Sequence, residues 1–229
     1  MHLELLEQRH TDETGRGVPV QKRALDILVA SIGLVFGLPL WCLIAVAIRL
    51  ETRGSVIYQQ ERVGLNRRPF RMYKFRSMVD DAERRTGPVW ATEGDPRITR
   101  FGAILRSTHL DEVPQFLNVL RGEMSIVGPR PERPALVERL AESIPGYQDR
   151  CTVLPGITGL AQVRSGYDRS IESVKRKLRY DRYYIRCRRC LTLDLKVMAE
   201  TVRVMCQGLL AWRKPEPLPH QRTASQREA

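Results

Sequence analysis

The chain has 229 residues, with 38 Lys and Arg against 26 Asp and Glu, a formal net charge of +12. This length suits one domain with its own core plus an anchor and tails. The basic excess points to anionic partners, whether nucleic acid, phosphorylated substrates or an anionic membrane surface. Five scattered cysteines (Cys42, Cys151, Cys187, Cys190 and Cys206) argue against a disulfide framework, since Cys42 falls inside an apolar run. Cys187 and Cys190 have CxxC spacing but no second pair to complete the four ligands of a structural zinc site. A reducing compartment is the simpler reading.

Residues 1–21 are polar and weakly patterned and read as a tail. Residues 27–48 then read ILVASIGLVFGLPLWCLIAVAI, without a charge. As a helix this run would be about 33 Å long, enough to cross a hydrocarbon core of about 30 Å. It begins too late, and lacks the small-residue cleavage site, to be a signal peptide. Pro39 near its middle costs a helix interior about 3 kcal/mol and frees the carbonyl of Val35. Lys22 and Arg23 precede the run, and Arg49, Arg53 and Arg62 follow it, so the positive-inside tendency does not favour opposite sides for its two ends. Two readings stand: a re-entrant helix over 22–50 that breaks at Pro39 and returns to the cytoplasmic face, and an ordinary kinked span.

Residues 56–61 and 70–75 are predicted as two strands of a hairpin, with turn signals at Gly64, Asn66 and Pro69 between them. A helix is expected over 77–85, then a loop through Gly87, Pro88, Gly94 and Pro96. Further helices are expected over 98–105 and 111–120, the second ended by Gly122. Residues 126–134 are too proline-rich for a regular element. A short helix over 135–143 stops at Pro145-Gly146, and residues 155–159 form a turn. A helix is expected from Ile171, and the tail over 212–229, with Pro215, Pro217 and Pro219, is expected to be disordered. The segment 171–190 is basic, with Tyr180, Tyr183 and Tyr184 interleaved. It can lie in a membrane interface, pack on the domain with a solvated outer face, or bind nucleic acid; the apolar anchor upstream favours the membrane.

The densest chemical signal is Arg106-Ser107-Thr108-His109-Leu110-Asp111-Glu112-Val113-Pro114-Gln115. Pro114 suits a helix first turn, which would start the helix near Asp111 and place two carboxylates at the positive end of its dipole. An ionised Asp can attack phosphorus, and a neighbouring Glu can help hold Mg²⁺ where phosphates are shared. The plain alternative is a helix cap worth about 1 kcal/mol. Lys74 and Arg76 close the second strand, Arg97, Arg100 and Arg106 precede the pair, and Arg130 sits in Gly128-Pro129-Arg130-Pro131. Arginine forks in rigid loops suit phosphate oxygens.

Several long blocks occur in order: KRALD at 22–26, YQQERVGLNRRPFRMYKFRSM at 58–78, DPRITRFG at 95–102, LDEVPQFLNVLRGEMSIVGPRP at 110–131 and PGITGLAQV at 155–163. With them the chain resembles the bacterial sugar transferase family, the monotopic phosphoglycosyl transferases, over about residues 22–210. The resemblance implies an α+β, predominantly helical fold. A re-entrant membrane helix broken at Pro39 would join a catalytic domain over 51–211, with a short hairpin and interfacial amphipathic helices, on the cytoplasmic face of a bacterial inner membrane. It implies Asp111 as the nucleophile that takes a sugar phosphate from a UDP-sugar and releases UMP, before polyprenyl phosphate attacks the covalent intermediate. Asp111 and Glu112 are the implied Mg²⁺ site, and Lys74, Arg76, Arg106, Arg130 and Asp181 the implied phosphate and substrate contacts. The implied partners are the UDP-sugar, polyprenyl phosphate and anionic lipid but no nucleic acid, with a homodimer left open. Two departures stand out. Leu38 replaces the serine common before the helix-breaking proline, and His109 is read as a variable residue at the site rim. The larger relatives' extra N-terminal membrane helices are not expected, which makes this the minimal form.

Overall fold

A computed structural model describes residues 18–79, 82, 95–165, 171–187 and 190–212. The expected tails up to residue 17 and from residue 213, and nearly all of 80–94, lie outside them.

The first element, α1 (Val20–Glu51), is a single 32-residue helix. It runs unbroken through Pro39, so the expected break is corrected. The proline removes one backbone donor inside the helix without ending it. One face lies against the rest of the protein at Ala30, Trp41, Ile44 and Ile48. Ala30 is fully buried beside Phe70, Val119 and Met124, and Ile44 and Ile48 pack with Phe75 and Leu105. Trp41 meets the Phe75 ring edge-on at 5.8 Å between centroids. At Gly33 the helix approaches so closely that a Cβ would lie 2.5 Å from the Phe116 ring. The opposite face bears Leu28, Ile32, Val35, Leu43, Val46 and Leu50, all exposed. A surface helix in water carries polar residues there. The helix is long and apolar enough to cross a membrane, and its outward apolar stripe is the kind of surface a membrane anchor presents.

A buried polar knot fixes the start of α1. The Lys22 ammonium donates to Asp194 (2.9 Å) and to the Val127 carbonyl (3.0 Å). The Tyr184 hydroxyl lies 2.8 Å from both of the same groups. Asp26 accepts from the Ile126 amide (2.8 Å) and the Ser125 hydroxyl (3.0 Å). Arg23 donates to the carbonyls of Val119 (2.6 Å) and Leu120 (2.9 Å), which a helix C-terminus leaves without intrahelical donors.

Strands β1 (Ile57–Val63) and β2 (Pro69–Phe75) pair antiparallel with Ile57 opposite Phe75, as the turn signals predicted. Ser77–Val79 are not helical, contrary to expectation. Met78 bridges to Ile98 and the chain stays extended. Helix α2 (Arg100–Ser107) is capped by the Thr99 side chain, which accepts from the Gly102 amide. Helix α3 (Gln115–Leu120) follows, then β3 (Ser125–Val127), helix α4 (Pro134–Ser143), β4 (Gly156–Thr158), and helices α5 (Leu160–Arg164), α6 (Ile171–Arg186) and α7 (Leu191–Trp212). β3 and β4 pair in parallel, which corrects the reading of 126–134 and 155–159 as irregular. Three-residue strands are too short to display a period. Gly128 and Gly156 let the two backbones touch, and a Cβ on Gly156 would collide with the Gly128 amide.

Helix α6 buries Val174, Leu178, Asp181 and Tyr184, so of the interleaved tyrosines Tyr184 belongs to the core and Tyr183 faces outward. Its exposed basic residues, Lys175, Arg176, Arg179 and Arg186, line the outer face.

Replacing Lys22 by Met strands the buried Asp194 carboxylate. The expected loss is about 3–5 kcal/mol, read as a lower melting temperature in detergent. The double variant Lys22→Met/Asp194→Leu is expected to recover much of it, because no orphaned charge remains.

Candidate active site

Helix α2 ends at Ser107, and the chain reverses at His109, a non-glycine residue at φ 57°. The 3-10 turn Leu110–Glu112 follows, and α3 begins only at Gln115, with Pro114 before it. The expected helix start at Asp111 is therefore corrected. The dipole argument goes with it, since that effect fades beyond the first turn and α3 is six residues long.

What surrounds the carboxylates instead is a set of cations from separate parts of the fold. β2 delivers Lys74, whose ammonium donates to Glu112 Oε1 at 2.7 Å. The segment after β3 delivers Arg130, which donates to Glu112 Oε1 at 2.5 Å and Oε2 at 3.2 Å. That segment is held by β3–β4 contacts, with the Gly128 amide donating to Thr158 and the Gly156 amide donating to the Pro129 carbonyl. Burial would push Glu112 up, but Arg130 and then Lys74 outweigh it and hold its carboxyl well below the usual range. In return Glu112 raises Arg130 above its ordinary value.

Asp111 differs from its neighbour. It is as buried as Glu112, yet among the described residues its carboxylate has no hydrogen bond or ion pair. Burial raises its pKa and the adjacent Glu112 adds to the rise, while Lys74, Arg106 and Arg130 pull the other way without reversing it. The site thus holds one neutralised carboxylate and one free carboxylate, side by side in a cationic hollow. A buried carboxylate with no donors of its own is a good nucleophile.

The remaining expected residues are distributed unevenly. Arg106 is half-buried and acts on Asp111 through its charge. Arg76 is buried but bonds to Thr52, at the end of α1. Asp181 pairs with Arg150 at 3.1 Å, and Arg150 donates to the Arg130 carbonyl at 3.0 Å, so Asp181 reaches the site only through Arg150. Arg97 is bound to Asp95. Arg100 and His109 are exposed. Arg150 was not singled out by sequence, because nothing in its surroundings distinguishes it from other surface arginines.

Among the described residues no group of three or more His, Cys, Asp or Glu is arranged to hold a metal. Two carboxylates are enough for Mg²⁺ where phosphates and water complete the shell. Glu112 uses three of roughly four acceptor positions, and Asp111 is free, so the donor set fits such an ion.

The family model for bacterial sugar transferases matches residues 18–208. The chain belongs to the bacterial sugar transferase family. It is 40% identical over 208 residues to a UDP-N-acetylgalactosamine-undecaprenyl-phosphate N-acetylgalactosaminephosphotransferase of Aeromonas hydrophila, covering 89% of this chain and 49% of that protein. It is 49% identical over 140 residues to a putative undecaprenyl-phosphate N-acetylgalactosaminyl 1-phosphate transferase of Bacillus subtilis, covering 61% and 77%. It is 43% identical over 185 residues to a UDP-glucose:undecaprenyl-phosphate glucose-1-phosphate transferase of Klebsiella pneumoniae, covering 80% and 39%. The chain thus spans about half the length of the first of these relatives and less of the third.

Because burial raises Asp111, its ionised form weakens the fold at neutral pH. Below the ordinary carboxylate pKa of about 4 the group is protonated in both folded and unfolded chains, and that cost is gone. Asp111→Asn is therefore expected to melt higher than the wild type near pH 7 with chelator present, the gain shrinking as pH falls. A melting temperature unchanged or lowered near pH 7 would contradict an unpaired buried carboxylate.

Proposed function

We propose that this family member transfers a sugar 1-phosphate from a UDP-sugar to polyprenyl phosphate, releasing UMP, through a covalent phosphosugar on Asp111. The observation that carries the reading is the asymmetry of the pair: Glu112 is neutralised by Lys74 and Arg130, and among the described residues Asp111 has no partner in the same hollow. A purely structural acidic pair gains nothing from leaving one buried carboxylate without a partner. A nucleophile, by contrast, needs an oxygen lone pair left free to reach phosphorus.

The chemistry follows from the charges. A diphosphate entering the hollow meets Lys74, Arg106 and Arg130, which neutralise its oxygens and lower the repulsion against an approaching carboxylate. An Asp111 oxygen forms a bond to the phosphorus bearing the sugar, and the bond from that phosphorus to the bridging oxygen breaks. The electron pair leaves with UMP. In the second step an oxygen of the lipid phosphate bonds to the same phosphorus, the Asp111–phosphorus bond breaks and the carboxylate is restored. Neither step needs net proton transfer when the acceptor is a dianion. Burial supports the design, since a weakly solvated carboxylate is more nucleophilic and water is kept from the acyl phosphate.

Asp111 and Glu112 would hold Mg²⁺ together with the phosphates. Its contribution when bound is positive charge against the phosphoryl oxygens.

The outward apolar stripe of α1 supports an anchor whose two ends stay with the domain on one face of the membrane, taken here as the cytoplasmic face of the bacterial inner membrane. A UDP-sugar cannot enter the bilayer and a polyprenyl chain cannot leave it, so the nucleophile has to work at the boundary. The reaction would be the first membrane step of a bacterial glycoconjugate or exopolysaccharide.

Two experiments test this reading. Asp111→Asn is expected to cut UMP release from UDP-sugars by roughly 10⁴ or more, and mass measurement on rapidly quenched wild type to find a phosphosugar on the peptide containing residue 111. Release of UDP instead of UMP would mean transfer of the sugar alone. Full activity of the Asn variant would remove the mechanism. For topology, a cysteine introduced at residue 5 is expected to react with an impermeant thiol reagent only from the cytoplasmic side, and labelling from outside would make α1 a plain span.

A further inference from the structure

Arg76 is the anomaly among the buried and half-buried cations. Lys22 is paired with Asp194, Lys74 and Arg130 with Glu112, and Arg150 with Asp181. Arg76, 8% exposed, has no carboxylate partner among the described residues. Its Nη2 donates to the carbonyl (2.9 Å) and hydroxyl (2.7 Å) of Thr52, while Nε and Nη1 have no hydrogen-bond partner among the described residues. A buried cation persists where something neutralises and hydrogen-bonds it, and two unused donors on a guanidinium call for an anion with several oxygens.

Its place narrows the choice of anion. The Arg76 amide donates to Val56, so the β1–β2 ladder reaches this residue. Residues two apart on a strand share a face and are roughly 7 Å apart, so Arg76 lies one step along from Lys74, which touches Glu112. Thr52 is the C-cap of α1, which puts the guanidinium at the foot of the membrane anchor. The last turns of that helix present Leu43, Val46 and Leu50 outward. The cations assigned to the nucleotide diphosphate are Lys74, Arg106 and Arg130. Arg76 is set apart from them, toward the end of the helix whose outer face is apolar.

We propose that Arg76 binds the phosphate of the lipid acceptor, a phosphate monoester on an isoprenoid chain, and presents it to the phosphosugar on Asp111. Thr52 is its positioning residue. This rests on the two-step transfer proposed above. One oxygen of the monoester stays with Arg76 while another forms the new bond to phosphorus and the bond to Asp111 breaks. The charge on Arg76 also keeps the acceptor a dianion, so its attacking oxygen carries no proton.

The test uses the full chain in nanodiscs and separates the half-reactions. Without acceptor, exchange of labelled UMP into UDP-sugar reads only the first. Arg76→Met is expected to raise KM for polyprenyl phosphate by about tenfold or more, the scale of one charge-assisted hydrogen bond, while exchange falls by less than about threefold. Farnesyl phosphate is expected to raise the melting temperature of the wild type and not of Arg76→Met, with Arg76→Lys partly restored. Thr52→Val, which keeps the backbone carbonyl, is expected to show a smaller rise in the same KM and covers the case in which Arg76→Met does not fold. The assignment is overturned if exchange and acceptor turnover fall together, or if acceptor KM stays at the wild-type value in both Arg76→Lys and Thr52→Val. Inorganic phosphate stabilising the wild type as strongly as farnesyl phosphate would overturn the lipid part. A wild type that exchanges no UMP fails the two-step reading itself, a result distinct from any of these.

Discussion

One carboxylate holds the site together. Glu112 accepts from Lys74 on the hairpin and from Arg130 on the segment after β3, so a 3-10 turn, a strand and a proline-bounded loop meet at a single side chain. Without that anion the two cations would repel each other across the hollow, and without the cations burial would drive Glu112 to its neutral form. The arrangement leaves positive charge beside Asp111 while denying Asp111 a partner of its own. A single pairing thereby gives the site both its shape and its unequal carboxylates.

The membrane anchor is joined to this arrangement through the backbone. Lys22 and Asp26, in the first turns of α1, bond to Val127, Ile126 and Ser125, and Arg130 follows three residues later. At the other end of α1, Thr52 holds Arg76, two residues beyond Lys74. The helix therefore supports both walls of the hollow, one at each end. Because its inner face packs while its outer face stays apolar, the helix and the domain it lies on are one body, and the apolar stripe keeps a fixed orientation to the hollow.

A second buried chain, from Asp181 through Arg150 to the Arg130 carbonyl, supports the other side of Arg130. Helix α6 contributes to it by burying an acidic residue among apolar ones, leaving its basic face outward. The Tyr147 hydroxyl lies 2.5 Å from Arg150. Arg130 is thus fixed from behind by groups one step removed from the carboxylate pair.

Much of this could be read along the chain. The charge-free run at 27–48, the hairpin and its turn residues, the helices of α2, α4 and α6, and the Asp111–Glu112 pair among basic blocks were all legible, because each depends on local composition or spacing. The short strands β3 and β4 were not, since three residues carry no period and their pairing joins segments about thirty residues apart. Nor was the 3-10 turn at Asp111, where Pro114 delays the helix and the reversal at His109 leaves no local signature. The unequal fates of Asp111 and Glu112 lie in which cations arrive from 38 residues before and 18 after. Sequence by itself determined the family, the long apolar helix and the candidate carboxylate pair. Only the tertiary structure decided which carboxylate is neutralised and which arginine is left unpaired, because hydrogen-bond partnership between distant segments is a property of packing and not of order along the chain.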